Sequence, residues 1–140
     1  MLNIFLDSSV AIAASLSATG ASGDVFNHAA SHGWRLLLSP WVLREVRDNL
    51  ADKPPESVRA WVLLRRKAVL EDDELTFDWP IAFEASKDKP VLFSALACAD
   101  VLLTLDRRDF RDLLGQTVYG LRVLTPGEFL RIERKAGKLR

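Results

Sequence analysis

Residues 87–110, which read KDKPVLFSALACADVLLTLDRRDF, place the strongest constraint on how this chain can fold. Asp88 precedes a short apolar helical run, a short apolar strand follows that run, and Asp106 lies just beyond the strand. A helix that begins at Asp88 and returns as a parallel strand ending near Thr104 brings the chain back to the edge from which it left. We therefore expect the two carboxylates to share one rim of a sheet, at the carboxyl ends of its strands.

Short apolar runs alternate with helical segments along the rest of the chain. We predict strands at residues 2–6, 34–38, 75–77, 101–104 and 118–124. We predict helices at residues 10–16, 24–31, 41–50 and 56–70 and a last helix from Thr125-Pro126, with a loop over 17–23. Because strands and helices alternate without hairpin signals, this pattern favours one α/β domain over residues 1–140, with a parallel sheet and helices on both faces.

The charge balance limits how the chain can bind a polyanion. Its 140 residues include nineteen basic and nineteen acidic side chains, so no global positive field attracts nucleic acid. Any polyanion must then be held by local patches or by metal ions. Cys98 is the only cysteine, which excludes an internal disulfide and a thiolate metal cluster.

The opening segment, MLNIFLDSSV, has no basic region before its apolar run and reaches an acid at position 7. This pattern differs from a secretory signal, and no apolar run approaches the length of a membrane span. We therefore expect a protein that works in the cytoplasm without a membrane partner.

Four acids are predicted at one edge of the sheet, and each comes from a separate segment. Asp7 ends the first strand, Glu45 lies one turn into the helix after the second strand, and Asp88 and Asp106 flank the helix–strand unit described above. Carboxylates packed this closely would hold protons unless a cation lay among them. Because the expected ligands are all oxygens, with no nearby Cys or His, the natural ion is Mg²⁺ or Mn²⁺.

A divalent ion in such a site can support hydrolysis of a phosphodiester. It lowers the pKa of water and stabilises the charge that develops on the phosphoryl and leaving oxygens. A carboxylate left partly free, Asp88 or Asp106 in this chain, could accept the proton from the attacking water.

Five further residues are candidates for supporting roles at this edge. Asp106 and Asp109 compete for the last ligand position; we favour Asp106 and keep Asp109 as an auxiliary ligand. Ser9 and Thr104 carry hydroxyls that can orient a ligand or a water molecule. Arg107 and Arg108 could hold a substrate phosphate.

Each acid also has an ordinary structural explanation. Asp7 and Asp88 both suit helix N-caps, and Glu45 alone would be an unremarkable surface residue. Arg107, Arg108 and Asp109 could form a solvated turn. We favour the metal role because all four acids are predicted at one edge.

Four segments in this order resemble the PIN domain family. They are LDSSV near the start, SPWVLREV in the middle, residues 87–110 late in the chain, and VLTPGEFL near the end. They are most similar to the branch that includes VapC-like toxins of bacterial toxin–antitoxin pairs and their nuclease relatives. The resemblance covers essentially the whole chain, and the late segment is its most specific part.

This resemblance implies a three-layer α/β/α domain that gathers three or four acids and cleaves RNA with Mg²⁺ or Mn²⁺. The residues that match the family's acids are Asp7, Glu45, Asp88 and Asp106, in that order. Thr104 matches the hydroxyl residue that usually precedes the fourth acid by two positions. A small antitoxin partner and a homodimer are further expectations that rest on the resemblance.

Three hypotheses for function follow. The first is a metal-dependent endoribonuclease, the toxin of a toxin–antitoxin pair or a close relative of one. The second is a catalytically silent PIN-like domain that only binds RNA or a protein. The third is a phosphatase with Asp7 as nucleophile, but such enzymes need a second Asp two residues later, where this chain has Ser9.

Overall fold

The computed structural model describes residues 1–139 and has a six-stranded sheet at its centre. The strands are β1 (Leu2–Leu6), β2 (Trp34–Leu38), β3 (Ala68–Leu70), β4 (Val101–Leu103), β5 (Thr117–Val118) and β6 (Leu121–Leu124). Their order across the sheet is β3-β2-β1-β4-β6-β5, and the pairs are parallel except for β5 with β6. The predicted α/β class with a central parallel sheet is confirmed, and β5 with β6 adds an antiparallel pair at one edge.

Helices flank the sheet. They are α1 (Ser8–Leu16), α2 (Ala21–His32), α3 (Pro40–Leu50), α4 (Pro55–Arg65), α5 (Lys89–Cys98) and α6 (Pro126–Lys135), and a single 3-10 turn covers Ser86–Asp88. Helix α1 packs against α2, α3 and α4, α2 packs against α6, and α5 packs against β1 and β4. No helix within residues 1–139 is both long enough and apolar enough to cross a membrane.

The strand order reverses at β1. The chain moves from β1 to β2 and β3 in one direction, and α5 then returns it to β4 on the other side of β1. Right-handed crossovers consequently place α5 on the opposite face of the sheet from α1–α4. The crevice at such a reversal is where open α/β sheets bind ligands.

The register of β1 and β4 brings two functional candidates side by side. Leu6 pairs with Leu103, so the residues that follow, Asp7 and Thr104, leave the sheet together. The Asp7 backbone N–H donates to the Leu103 carbonyl at 3.0 Å. The position of Asp7 relative to Thr104 is therefore set by the sheet itself.

The core is built from consecutive apolar residues in the central strands. Ile4, Phe5 and Leu6 are all fully buried, although neighbouring residues of a strand point to opposite faces. Both faces of the sheet are therefore covered, as expected for parallel strands. Burial of a side chain of this size contributes about 1.5–3 kcal/mol, so β1 is a rigid support for the residues at its end.

Four of the predicted elements differ from the structure. The helix predicted over 56–70 ends at Arg65, and residues 68–70 instead form β3 against β2. The predicted loop over 17–23 is shorter in the structure, because α2 begins at Ala21. The helix predicted from residue 10 begins at Ser8. The strand predicted at 75–77 is absent, since residues 71–85 form neither helix nor strand. Short apolar runs fit helix and strand alike, so tertiary pairing decided these cases.

The predicted strand over 118–124 is also wrong, because it is a hairpin of β5 and β6. Tyr119 and Gly120 form its turn, with φ angles of 49° and 83°. Positive φ at both positions matches the two-residue turn whose twist suits paired strands. The Tyr119 ring packs against Trp79 and its hydroxyl donates to the Pro80 carbonyl, which holds a non-glycine residue in this conformation.

Residues 71–85 are anchored to the first turn of α3 although they lack regular structure. Asp73 accepts hydrogen bonds from the Trp41 backbone N–H at 3.2 Å through both carboxylate oxygens. Ser39, the residue before α3, makes no side-chain cap to the helix within residues 1–139. Asp73 therefore supplies the acceptor that α3 lacks locally, and α3 carries Glu45.

We expect Asp73→Ala to lower the free energy of unfolding by about 1 kcal/mol, the usual cost of losing an N-terminal helix cap. Asp73→Asn, which keeps an acceptor oxygen, should recover part of this loss. Urea denaturation with Asp72→Ala as a control measures the effect, because Asp72 is an exposed neighbouring acid. Equal stability of the alanine variants at positions 72 and 73 would contradict the capping role.

Candidate metal centre

Asp7 is held at the end of β1 by three hydrogen-bond donors. Ser8 N–H donates to Asp7 Oδ1 at 2.9 Å, and the hydroxyls of Ser9 and Thr104 donate to Asp7 Oδ2 at 2.7 and 2.8 Å. Burial raises the pKa of Asp7, whereas these three donors favour its ionised form. Asp7 therefore caps α1 and also presents a fixed carboxylate at the sheet edge.

The hydroxyls of Ser9 and Thr104 also bind the loop that carries the later acids. Ser9 Oγ accepts from the Leu105 N–H at 3.0 Å, and Thr104 Oγ1 accepts from the Asp106 N–H at 3.0 Å. Each hydroxyl thus bridges Asp7 to the backbone after β4. The two residues predicted as auxiliary polar groups are positioning residues in this structure.

Asp106 shapes the turn that follows β4. Its Oδ1 accepts from the backbone N–H groups of Asp109 at 2.8 Å and Arg108 at 3.2 Å. This local turn brings Asp109 back beside Asp106. The competition between the two acids is thereby resolved structurally: Asp106 and Asp109 lie together.

Asp88 is buried, with 5% of its surface exposed, at the junction of the 3-10 turn and α5. It occupies the N-cap position of α5, but its side chain makes no capping bond to the helix within the described residues. Its Oδ2 has no hydrogen-bond partner in residues 1–139. The alternative explanation of Asp88 as a plain helix cap is therefore wrong.

Neighbouring acids perturb the titration of Asp88. Burial, a hydrogen bond to Asp109 and repulsion from nearby carboxylates, with Asp7 foremost among them, raise the pKa of Asp88 to about 8. The same hydrogen bond is the main reason that the pKa of Asp109 is lowered. Without a metal, Asp88 is therefore the acid that keeps a proton and donates it to Asp109.

Glu45 reaches the same edge from α3. Its pKa is raised by burial and then by the negative charge of Asp7. Its Oε1 is buried and finds no hydrogen-bond partner within residues 1–139. Buried polar atoms are normally paired, so this unpaired oxygen is available to a ligand.

The donor set fits a divalent cation. Asp88, Asp106 and Asp109 each offer a carboxylate oxygen, and these three oxygens lie within 4.8 Å of one another. Asp7 is close enough to raise the pKa values of both Asp88 and Glu45, but Asp7 and Glu45 lie outside this group of three. Buried, unpaired carboxylate oxygens are the donors that Mg²⁺ and Mn²⁺ bind in proteins.

An open cleft of about 410 Å³ adjoins the cluster. Asp109 and the predicted phosphate ligand Arg108 line it together with Arg111, whereas Arg107 does not. Arg111, which was not predicted from the sequence, lies three residues after Arg108 in a segment of consecutive turns. Lys87, whose ammonium lies 3.3 Å from Asp109 Oδ2, was not predicted either.

The raised pKa of Asp88 makes stability depend on pH when metal is chelated. The unfolded acid titrates near pH 4 and the folded acid at about 8, so the folded state loses stability progressively as pH rises between these values. Asp88→Asn is uncharged throughout. We expect its melting temperature to exceed that of the wild type by an amount that grows from pH 4 to pH 9 in EDTA.

Differential scanning calorimetry across this pH range measures the difference. Mn²⁺ should reverse it at neutral pH, because metal binding stabilises the folded wild type more than the variant. A difference that stayed constant with pH would show that Asp88 does not titrate in this range.

Comparison with known proteins supports the fold of this chain. No protein-family model matches the chain, and no curated protein matches it. The chain is similar to a chain in the crystal structure of DNA-bound VapBC from Salmonella typhimurium, with a TM-score of 0.58 and 18% identity. The alignment covers 90% of this chain and 99% of that chain. The α/β fold, with its central, mostly parallel sheet and flanking helices, is thus shared with that chain.

Proposed function

We propose that this chain is a divalent-metal-dependent endoribonuclease that acts as the toxin of a toxin–antitoxin pair. The observation that carries the proposal is the Asp88 carboxylate, which is buried and has an unpaired Oδ2 within the described residues. It lies among carboxylate oxygens from two other acids, within 4.8 Å. Such an arrangement is costly without a cation, and it is built at the ligand-binding edge of the sheet.

Asp7, Glu45, Asp88 and Asp106 would hold Mg²⁺ or Mn²⁺, with Asp109 as a further ligand. When bound, the ion supplies Lewis acidity for phosphodiester hydrolysis, since it promotes ionisation of water and stabilises charge on phosphoryl oxygens. The fixed Asp7 carboxylate and its two hydroxyl donors, Ser9 and Thr104, keep the donor set organised.

The chain's own carboxylates differ in their ability to accept a proton. Asp106 Oδ1 already accepts two backbone hydrogen bonds, from Arg108 and Asp109, so this oxygen is occupied. Asp88 Oδ2 accepts none within residues 1–139. Of the two candidates for general base, Asp88 is therefore the one we propose to receive the proton of the attacking water.

The cleft beside the cluster supports a phosphodiester substrate. Arg108 and Arg111 line it next to Asp109, and both guanidinium groups can donate to phosphate oxygens. RNA, as the particular nucleic acid, rests on the resemblance to the PIN domain family. The cleft also contains Glu84 and Asp112, so it does not attract polyanions indiscriminately.

We expect the purified protein to cleave single-stranded RNA with Mn²⁺ or Mg²⁺ and to lose this activity with EDTA. Asp7→Asn and Asp88→Asn should reduce cleavage to the level of the chelated protein, because each removes a charged ligand. Asp72→Asn is the matched control and should remain active, since Asp72 is an exposed acid outside the cluster. Gel analysis of a labelled RNA, with labelled single-stranded DNA alongside, measures the outcome.

Two results would count against this assignment. Equal RNA degradation by the wild type and both ligand variants would exclude this site. Binding of RNA without cleavage in any metal would instead favour the catalytically silent PIN-like domain.

We also propose a small antitoxin protein as a partner. The chain that is similar in fold comes from a VapBC complex. In this protein an apolar groove of about 560 Å³ lies between α3 and α4, with Val58 and Val62 exposed in it and arginines at its rim. An apolar segment with acidic flanks would complement this groove. A homodimer and a cytoplasmic location are further proposals. Light scattering of the purified protein tests the homodimer.

Expression of the chain alone should arrest bacterial growth, and co-expression of a small protein encoded beside its gene should relieve the arrest. Val62→Asp should abolish co-purification of that protein, because a charge would enter the apolar groove. Ile132→Asp is the matched control, an exposed apolar residue on α6. Arrest that persisted in Asp7→Asn would show that toxicity does not depend on the proposed metal chemistry.

A further inference from the structure

Lys87 is a cation already present at the acidic cluster. It lies in the 3-10 turn directly before Asp88, and its Nζ is 3.3 Å from Asp109 Oδ2. The Lys87 side chain is 75% exposed, whereas that of Asp109 is only 16% exposed. The ammonium thus contacts the cluster at the end of an exposed side chain.

Other ion pairs among residues 1–139 lie elsewhere. Arg35 with Glu71, Arg47 with Asp48 and Arg59 with Glu56 join side chains that are at least one-third exposed and that take no part in the cluster. The pair of Lys87 with Asp109 differs because one partner is a candidate metal ligand. Its position therefore calls for an explanation beyond surface solubility.

Lys87 and a divalent ion would compete for the same carboxylate. The cluster of Asp88, Asp106 and Asp109 needs positive charge, and Lys87 provides it through Asp109 when no metal is bound. An exposed lysine pair is weak, so a divalent ion held by several carboxylates can displace it. The flexible stem lets the ammonium move away while it remains at the rim.

We propose that Lys87 is an exchangeable cation of this site: it pairs with Asp109 in the metal-free protein and moves to a substrate phosphate when a divalent ion takes Asp109. Asp109, which Lys87 contacts, lines the same cleft as Arg108 and Arg111, where a substrate phosphate would bind. The second half of the proposal rests on the nuclease function proposed above. The first half concerns only the protein and the metal.

Calorimetric titration of the chelator-treated, full-length protein with Mn²⁺ tests the first half. Lys87→Met keeps the stem and removes the charge, so we expect it to bind Mn²⁺ about two- to fivefold more tightly than the wild type. Lys87→Arg should restore wild-type affinity. Lys89→Met controls for the general loss of a nearby positive charge, because Lys89 flanks Asp88 on the other side without an ion pair in residues 1–139.

Unchanged or weaker Mn²⁺ binding by Lys87→Met would overturn the exchange. An equal gain in Mn²⁺ affinity in Lys87→Met and Lys89→Met would also overturn it, since the effect would then come from the general loss of a nearby positive charge. If Lys87 only supported the fold, its removal would lower both melting temperature and metal affinity, and the proposal would fail on the same measurement.

Kinetics of RNA cleavage in Mn²⁺ test the second half. We expect Lys87→Met to raise KM with little change in kcat and to reduce the slope of log KM against log salt by about one, the loss of one phosphate contact. An unchanged KM and slope would overturn the move to phosphate. Tighter Mn²⁺ binding by the variant in a protein that cuts no RNA would overturn the nuclease function and uphold the exchange.

Discussion

Mutual repulsion among buried carboxylates is the constraint on which the rest of this structure depends. Five acids meet at one edge of the sheet, where burial makes their charges expensive. The protein meets this cost with hydroxyl and backbone donors to Asp7 and Asp106, a proton kept on Asp88, and the ammonium of Lys87 at Asp109. Each device is local, but every one of them needs the sheet to hold the acids in place.

The sheet provides that support through its topology. Because the strand order reverses at β1, the ends of β1 and β4 are neighbours although 97 residues separate Asp7 from Thr104. The hydroxyl of Thr104 donates a hydrogen bond directly to Asp7. Glu45 on α3 and Asp88 before α5 reach the same edge from the helical layers. Helix α3 in turn depends on an acceptor from the irregular segment 71–85. The five acids thus come from four separate segments, none of which forms a site alone.

The sequence was sufficient to predict which acids lie at the sheet edge, but not the hydrogen bonds and the ion pair that connect them. Apolar runs predicted β1 and β2, because buried parallel strands leave a clear pattern. The acids that follow β1 and flank the helix–strand unit of residues 87–110 predicted that Asp7, Asp88 and Asp106 converge. The hairpin at Tyr119 was missed because a tyrosine in a positive-φ turn has no common signal. The position of Asp109 beside Asp106 was not predicted, because it depends on the turn that Asp106 closes. The contact of Lys87 with Asp109 was not predicted either, because sequence spacing does not fix the distance between their side chains. Asp73 could not be assigned, since its partner lies 32 residues away.

The two borders of the sheet have a consequence for how this chain meets other molecules. β3 has three residues and β5 only two, and the β5 border is turned back on β6 as an antiparallel pair. Short border strands offer few unpaired backbone groups, which protects a sheet against strand addition and edge-to-edge aggregation. We therefore expect any contact with another protein molecule to be made by side chains rather than by strand addition. The affinity of such contacts can be tuned residue by residue without disturbing the backbone pairing that holds the acids together.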